Sequence, residues 1–358
     1  GANLMKLYPA PNTAGDPVTA ANNYVRSFKD PVSDDGYVFK IDHRFSDRHA
    51  MFGRYSFRRF YVGRAGAFKN AVTGDSETRD APGAALDDTY TINPTTVLNI
   101  RYGFSRYLVN QRSDNLGVDQ TALGFPSSLV SQLLVNALPA VTVSNGFQSL
   151  ATPTKLNRSP EESHTLRGTL SKVMSSHTFR FGAEARLLRS NVGNLGGAAA
   201  GSYSFDQVFT RGPNPQVAAV NAGWGLASLL LGVPAGGSVA RNAQTADSAK
   251  YYGFYLQDDW RVTRKLSFNF GLRYEWEGAY TERYDRLNRG YDYITESPIG
   301  PAARANYQQS PIPEVPVSQF RVIGGLQFVG VNGLDRALNN PDRNNVAPRV
   351  GVAGEVVQ

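Results

Sequence analysis

The stretch Leu266-Ser-Phe-Asn-Phe-Gly-Leu-Arg-Tyr-Glu-Trp276 decides the fold class of this chain. Apolar residues occupy every second position from Leu266 to Trp276, and serine, asparagine, glycine, arginine and glutamate lie between them. A helix would spread both sets around its circumference, whereas a strand places them on opposite faces. The stretch therefore predicts a long amphipathic β-strand.

The same alternation recurs along the 358 residues, which are rich in glycine (35), phenylalanine (19) and tyrosine (18). This composition favours strands over a helical bundle. Each repeat has about ten residues, the length of a tilted strand that crosses a membrane. We predict nine such strands, near 36–45, 50–61, 84–92, 96–108, 163–174, 177–188, 249–261, 266–277 and 346–357.

The connections between these strands alternate strictly between short and long. Short turns fall at 46–48, 93–95, 175–176 and 263–265, and long Gly/Pro/Ser/Asn-rich segments fall at 62–83, 109–162, 189–247 and 278–345. Long loops on one side and tight turns on the other are typical of outer-membrane barrels and uncommon in compact soluble domains. We expect an all-β fold, an antiparallel transmembrane β-barrel with long extracellular loops. A large soluble β-sandwich is the alternative.

Local patterns add detail to this prediction. Residues 126–135 and 222–233 have helical spacing and predict short helices within two of the loops. Aromatic residues near strand ends resemble the girdle found at membrane–water interfaces. These residues are Phe45, Trp260, Tyr274 and Trp276.

Composition excludes several function classes. The chain has no cysteine and only four scattered histidines, so thiolate metal sites and Cys nucleophiles are excluded and a His-rich zinc site is not expected. No apolar run approaches the roughly 18 residues of a membrane-spanning helix. The formal net charge is +7, but its arginines are spread singly, so we expect no nucleic-acid partner.

No enzymatic constellation emerges from the sequence. Asp258 and Asp259 are neighbours on a predicted strand, so their carboxylates point to opposite faces and cannot converge on one bond. Gly74-Asp75-Ser76 lacks the glycine pattern of an esterase nucleophile elbow. We predict no catalytic residue, no cofactor and no resident metal. Calcium binding by oxygen donors within 335–344 remains an open alternative.

The polar positions of the predicted strands carry many charges. In a barrel they would line a polar lumen, where they either pair with one another or attract an acidic ligand. Asp42, Arg58, Arg167 and Arg186 belong to this set. The residues singled out as lumen-facing candidates are Arg54, Arg101, Arg180, Glu184, Arg273 and Glu275.

One predicted hairpin resembles a known family. Tyr252-Gly-Phe-Tyr-Leu-Gln-Asp-Asp-Trp-Arg-Val-Thr263, followed by Lys265-Leu-Ser-Phe-Asn-Phe-Gly-Leu-Arg-Tyr-Glu275, resembles the barrel signature of TonB-dependent outer-membrane receptors, in particular the Oar-like subgroup. Segments 7–12, 40–47, 52–55, 229–234 and 344–351 support this likeness. It implies a bacterial outer-membrane location and a barrel of about 22 strands. It also implies a plug that moves when a TonB-type complex energises it.

The chain departs from that family in what it lacks. We find no plug and no TonB-contacting segment, and nine strands are too few to close such a barrel. We therefore expect an internal receptor segment, with an extracellular loop at 1–35 and a partial barrel at 36–358. Its expected partners are outer-membrane lipid, the TonB-type complex and an unknown scarce ligand that the parent imports. The alternative function is a structural or adhesive assembly built by strand pairing between chains.

Overall fold

The computed structural model describes residues 1–18, 20–212 and 222–354. Four short helices occur among these residues: α1 Ala2–Met5, α2 Ser127–Val130, α3 Gly225–Leu231 and α4 Gly300–Tyr307. The strands are β1 Val32–Ser46, β2 His49–Arg64, β3 Asp75–Asp80, β4 Gly83–Asn93, β5 Thr96–Ser113, β6 Ala140–Val143, β7 Leu156–Met174, β8 His177–Val192, β9 Ser202–Phe205, β10 Gly236–Ser238, β11 Thr245–Arg261, β12 Leu266–Glu277, β13 Thr281–Glu282, β14 Asn288–Glu296, β15 Ile323–Phe328 and β16 Asn345–Gly354.

One antiparallel sheet dominates the molecule. Its long strands follow one another in chain order, β1-β2-β3/β4-β5-β7-β8-β11-β12-β16, with β13 extending the β12 side of β11. β3 and β4 both pair with β2 on one side and with β5 on the other, and each pairing continues in the same register from β3 to β4. Ala81 and Pro82 separate the two strands. Proline has no N–H to donate, so the ladder is interrupted there. In the described part of the chain, β1 and β16 pair on one side only.

Several strands extend further toward the loops than the sequence predicts. β3 lies inside the predicted connection 62–83, β7 starts at Leu156 instead of 163, and β1 starts at Val32, inside the predicted loop 1–35. Charged and polar side chains occupy both faces at these ends, so the alternation that predicts a strand is missing there. Residues 355–357 of the last predicted strand lie outside the described residues.

The register gives the main sheet two unlike faces. One transverse row contains Asp42, Phe52, Asp87, Arg101, Arg167, Glu184, Gly253, Glu275 and Asn345. The adjacent row contains Ile41, Gly53, Leu86, Tyr102, Leu166, Ala185, Tyr252 and Trp276. Directly paired residues share a face and successive residues alternate. We call these the polar face and the apolar face.

The apolar face is not covered by protein within the described residues. Ile41 is 74% exposed, Val350 71% and Leu166 52%. Contiguous exposed apolar surface of this extent marks contact with lipid or with another protein, whereas a soluble sandwich would bury it. The hydrophobic core lies elsewhere, in the long connections.

That core forms a folded loop layer. Leu4, Phe68, Leu138, Leu150 and Leu229 are each at most 4% exposed and pack into one cluster. They come from the N-terminal segment and from three separate connections. A small sheet, β10-β9-β6, lies within the layer, with β9 parallel to β6.

Two further features complete the fold. In the fourth long connection, β14 and β15 form a two-stranded antiparallel sheet, and Tyr307 of α4 stacks on Phe320 at a centroid distance of 4.1 Å. α2 and α3 lie inside the predicted helical segments 126–135 and 222–233 but are shorter. None of the helices in the described ranges has the length and apolarity needed to cross a membrane.

Candidate functional site

The six residues singled out from the sequence lie together on the polar face. Register relates them directly: Arg101 shares the row of Glu184 and Glu275, and Arg54, Arg180 and Arg273 lie an even number of residues from members of that row. Strand alternation therefore brings together side chains from β2, β5, β8 and β12. The structure also shows what each side chain contacts.

Glu184 is the centre of one network on this face. Its side chain is only 8% exposed, because two arginines cover it. Arg167 donates to Oε2 at 2.9 and 3.2 Å from Nη2 and Nε, and Arg186 donates to Oε1. One carboxylate thus pairs with two guanidinium groups, and the three side chains together keep one positive charge. Next to it, Arg101 binds Asp87, whose side chain is also buried.

A second network joins β11 and β12. Arg273 donates to Glu275 at 2.6 Å and to the Tyr251 hydroxyl at 2.7 Å, and that hydroxyl donates to Glu275 at 2.7 Å. The guanidinium of Arg186 lies over the Tyr251 ring, 4.9 Å from its centroid. The two networks therefore touch, and polar and cation–π contacts continue across β7, β8, β11 and β12.

Closer to the short turns, Asp259 collects donors on the same face. Arg180 approaches it at 3.1 Å, Gln257 donates to it at 3.1 Å, and Asn269 also donates to it. Asp258 points to the apolar face, where it pairs with His177 at 2.7 Å. The two neighbouring carboxylates diverge, as the strand geometry predicts.

Arg54 differs from the other five candidates. It is exposed and makes no ion pair or side-chain hydrogen bond within the described residues. It pairs in register with Lys40 and Ala85, neither of which offers it an acceptor side chain. Arg54 is therefore a free cation on a face whose other charges are mostly paired.

Sequence reasoning missed a charged cluster at the loop end of the polar face. Glu77 and Asp75 are 3% and 5% exposed. Arg64 donates to Asp75 at 2.9 Å and to Glu77 at 3.2 Å, and Lys155 donates to Asp75 at 2.8 Å. The available signal was the run Asp75-Ser-Glu-Thr-Arg-Asp80. Charged and uncharged polar residues alternate from Asp75 to Arg79, but no residue of the run is apolar.

Above these networks, a cavity of about 420 Å³ opens at the loop end of the strands. Tyr107, Glu161, Ser190, Asp247 and Tyr280 contribute to its lining. Tyr280 belongs to a loop, whereas the other four come from β5, β7, β8 and β11. The strand ends and Tyr280 together thus line an open recess with the volume of a small molecule.

The loop layer contributes tyrosines with altered acidity. Burial raises the pKa of Tyr8 to about 12, and its hydroxyl donates to the backbone oxygen of Gln148 at 2.6 Å. Burial also raises the pKa of Tyr203. In contrast, the Thr121 hydroxyl and backbone N–H donate to Asp119 and lower the pKa of that carboxyl. Of these groups, Tyr8 ties the N-terminal segment to the connection that contains Gln148.

Aromatic side chains cluster on the apolar face. Trp260 stacks on His177 at 5.3 Å near one short turn, and Trp276 stacks on Tyr252 at 5.5 Å near the loop end of β12. Phe45 stacks on His49 at 4.7 Å beside the first short turn. Register places Tyr274 on this face as well. The girdle residues thus occur at both ends of the exposed apolar band.

No group of three or more histidine, aspartate or glutamate side chains positioned to hold a metal occurs among the described residues. At the proposed calcium loop, Asn340 Oδ1 accepts from Arg289 at 2.7 Å, and Asp335 Oδ1 accepts from the Ala337 N–H at 2.8 Å. Two of the candidate oxygens are therefore already engaged, one of them by a cation.

Comparison with known proteins gives a family. The outer membrane beta barrel domain matches residues 1–356. No curated protein matches. Among solved structures, the chain is similar to the ferric-catecholate import receptor Fiu from E. coli K12. In its closed form the identity is 12%, the TM-score is 0.37, and coverage is 90% of this chain and 40% of Fiu. In its open form the identity is 11%, the TM-score 0.30, and coverage 90% and 50%.

The chain spans half or less of the length of those receptor structures. The match to the family covers nearly the whole chain, and the antiparallel sheet with an exposed apolar face agrees with it. The location that follows is the bacterial outer membrane. This chain belongs to the outer membrane β-barrel domain family.

Proposed function

We propose that this chain forms part of the wall of a TonB-dependent outer-membrane transporter that imports a scarce ligand. In this proposal the main sheet belongs to a barrel of about 22 strands, the polar face lines the lumen and the apolar face contacts lipid. The observation that carries the proposal is the contrast between the two faces. Ion pairs join neighbouring strands on one face, and the other exposes its apolar side chains.

The loop layer supports a role in ligand capture. Its own hydrophobic core gives it a defined shape at the end of the sheet where the cavity lies. Buried Gln120 ties two connections together by donating to the backbone oxygens of Ala137 and Ala200 at 2.8 and 2.7 Å. A preformed loop surface binds its ligand with less loss of conformational entropy than a mobile one. We propose that a plug and the TonB-type complex act on the lumen below this layer.

The proposal predicts which positions water reaches. This chain has no cysteine, so a single introduced cysteine is the sole thiol within its 358 residues. In the full-length protein in outer membranes, we expect a membrane-impermeant maleimide to label Arg101→Cys. Tyr102→Cys, the matched position on the apolar face, should react only with a lipid-soluble reagent. Labelling of Tyr102→Cys by the impermeant reagent would contradict the assignment of faces.

Import is tested separately, without knowing the ligand. We expect Arg101→Cys to be labelled faster in cells with a functional TonB complex than in cells that lack it, because an energised plug would expose the lumen. A cysteine in a short turn, Ser176→Cys, serves as control and should be labelled at one rate in both strains. Equal rates for Arg101→Cys would refute TonB-dependent transport and leave the orientation of the faces intact.

A strand-paired structural or adhesive assembly is the second candidate. One observation favours it: all fifteen residues of β1 are exposed, and within the described residues this strand pairs only with β2. A free edge of this length is a template for pairing with another chain. Intact mass of the native protein distinguishes the two candidates. A 39 kDa chain assembled into larger particles away from the membrane would favour the assembly, and a longer outer-membrane chain would favour the transporter.

A further inference from the structure

The recess of about 420 Å³ at the loop end of the strands has one transverse row of the sheet as its floor. Register places Tyr107, Glu161, Ser190 and Asp247 in this row, on β5, β7, β8 and β11. Glu161 is six residues from Arg167 on the same strand, so the row belongs to the polar face. The recess therefore opens on the side of the sheet that we assign to the lumen.

Three other residues at the recess belong to the opposite face. Strand alternation directs the side chains of Arg106, Glu162 and Arg189 to the apolar face. There Glu162 lies 3.4 Å from Arg106 and 3.9 Å from Arg189. No further apolar-face residue lines the recess within the described residues. These three therefore border it through their backbone, and their charges face away from it.

Both acids of the row lack a counter-charge. Within the described ranges, Glu161 makes no ion pair or side-chain hydrogen bond, and the carboxylate of Asp247 accepts only from the Thr245 hydroxyl, at 3.3 Å. Oδ1 of Asp247 is buried and has no hydrogen-bond partner in that part of the chain. A buried oxygen without a donor costs free energy, so a ligand that brings a donor into the recess gains affinity.

No basic side chain of the surrounding wall offsets these two acids. Within 105–109, 159–163, 188–192 and 245–249, none of the residues on the polar face is a lysine or an arginine. Three arginines border this region on the same face, and each is paired with an acid outside it: Arg58, Arg79 and Arg186. The recess is therefore locally negative, although the chain as a whole carries a formal charge of +7.

The neighbouring acid Glu282 is part of the fold. It pairs in register with Asp247 and is fully buried. Its two carboxylate oxygens accept hydrogen bonds from three backbone N–H groups, at 2.8 to 3.0 Å. Glu282 is thus already engaged, and we assign only Glu161 and Asp247 to the site.

Two tyrosines give the recess aromatic surface. Tyr107 is 40% exposed, and Tyr280, which belongs to a loop, is 51% exposed. Aromatic rings attract ammonium groups through their negative faces. Glu161 and Asp247 are two strand spacings apart, about 10 Å at their bases. An elongated cation can therefore reach both carboxylates and contact the rings.

We propose that this recess binds an organic cation that carries ammonium groups. Charge-assisted hydrogen bonds to Glu161 and Asp247 hold the ammonium groups, and Tyr107 and Tyr280 contact the rest of the ligand. The inference deepens the proposed transport function, on which it rests, because it gives the chemical class of the imported ligand.

The test uses the full-length protein in detergent, with 1,6-diaminohexane as probe and uncharged 1,6-hexanediol as its analogue of equal length. We expect titration calorimetry at low ionic strength to show binding of the diamine and none of the diol. Glu161→Gln should weaken diamine binding about 10-fold, because a hydrogen bond between charged groups contributes about this factor. Asp247→Asn should have a comparable effect.

Glu162→Gln is the matched control, because it changes the same residue type one position along β7 on the opposite face. It should leave diamine binding unchanged. Tyr280→Phe should retain binding, whereas Tyr280→Leu should weaken it about 2- to 5-fold, because only phenylalanine keeps the ring. Equal binding of diamine and diol to the unaltered protein would overturn the inference. So would equal losses of affinity in Glu161→Gln and Glu162→Gln.

This binding test and the test of import fail separately. If the diamine does not bind but Arg101→Cys is labelled faster in cells with a functional TonB complex, the ligand class is wrong and transport stands. If the diamine binds as expected but that labelling does not depend on TonB, the recess is a cation site and transport is wrong.

Discussion

Replacing Glu184 with glutamine tests the role of the polar-face network directly. The change keeps the size of the side chain but removes the charge that Arg167 and Arg186 share. Arg167 is then left opposite Arg101 in the register, and like charges that face each other across strands are destabilising. We expect the sheet to lose stability while its shape is retained.

The magnitude follows from the exposure of the partners. The Arg167 and Arg186 side chains are 47% and 41% exposed, so water screens both ion pairs. Pairs of this kind contribute up to about 1 kcal/mol each. Glu184→Gln should therefore lower the free energy of unfolding by ~2 kcal/mol. Arg54→Gln, on the same face but without a partner, should change it by less than about 0.5 kcal/mol.

Urea unfolding in detergent micelles, followed by tryptophan fluorescence, measures this free energy. The free energy of unfolding should depend on urea concentration with the same slope in both proteins, because the surface area exposed on unfolding is unchanged. A double-mutant cycle with Arg167→Gln should give a coupling of about 1 kcal/mol. The two single variants each lower the free energy of unfolding by some amount. If these two amounts sum to that of the double variant within about 0.3 kcal/mol, the 2.9 Å ion pair between Arg167 and Glu184 contributes nothing measurable and the prediction is wrong.

Three further predictions concern packing and ionisation. An added Cβ at Gly182 would lie 1.9 Å from the Tyr255 ring, so Gly182→Ala should displace this ring from its hydrogen bond with Thr169. The free energy of unfolding in urea should fall by about 1–3 kcal/mol. Gly103→Ala is the control: its added Cβ meets nothing within 4 Å and should leave the free energy unchanged. Leu229→Ala should destabilise the loop layer by about 2–5 kcal/mol, because Leu229 is fully buried. Amide hydrogen exchange should then become faster in β6 and β9 but not in the main sheet. Exchange rates in β6 and β9 equal to those of the unaltered protein would contradict this prediction. The folded pKa of Tyr8 is raised to about 12 from the ordinary 10.0, so its contribution to stability is fully present below pH 10 and disappears as pH rises through 12. When tyrosine ionisation is followed by absorbance, the group that titrates near pH 12 should be missing in Tyr8→Phe. A titration curve equal to that of the unaltered protein would refute the assignment.

The strand alternation of the sequence was sufficient to predict the all-β class and the polar-face residues. Side chains alternate with a period of two, so once 266–276 and 177–188 are assigned as strands, the sides occupied by Arg273 and Glu184 follow from covalent geometry. The two short helical segments were also recognisable, because their apolar spacing is local. Each of these features depends on residues close together in the chain.

Tertiary structure decided the features that depend on distant residues. β3 carries no apolar residue, and it is a strand because β2 and β5 supply hydrogen-bond partners on both sides. Whether a charge on the polar face is paired or free also depends on register between strands. Arg54 faces Lys40 and Ala85 and stays unpaired, whereas Arg167 faces Glu184.

The loop layer depended most on the folded chain. Leu4, Phe68, Leu138 and Leu229 form one core although they are separated by tens of residues and lie in the N-terminal segment and in three different connections. The sequence by itself determined which side of each strand a residue occupies, because that depends only on its neighbours in the chain. The fold decided what each residue meets there, because pairing partners and packing contacts come from parts of the chain that only folding brings together.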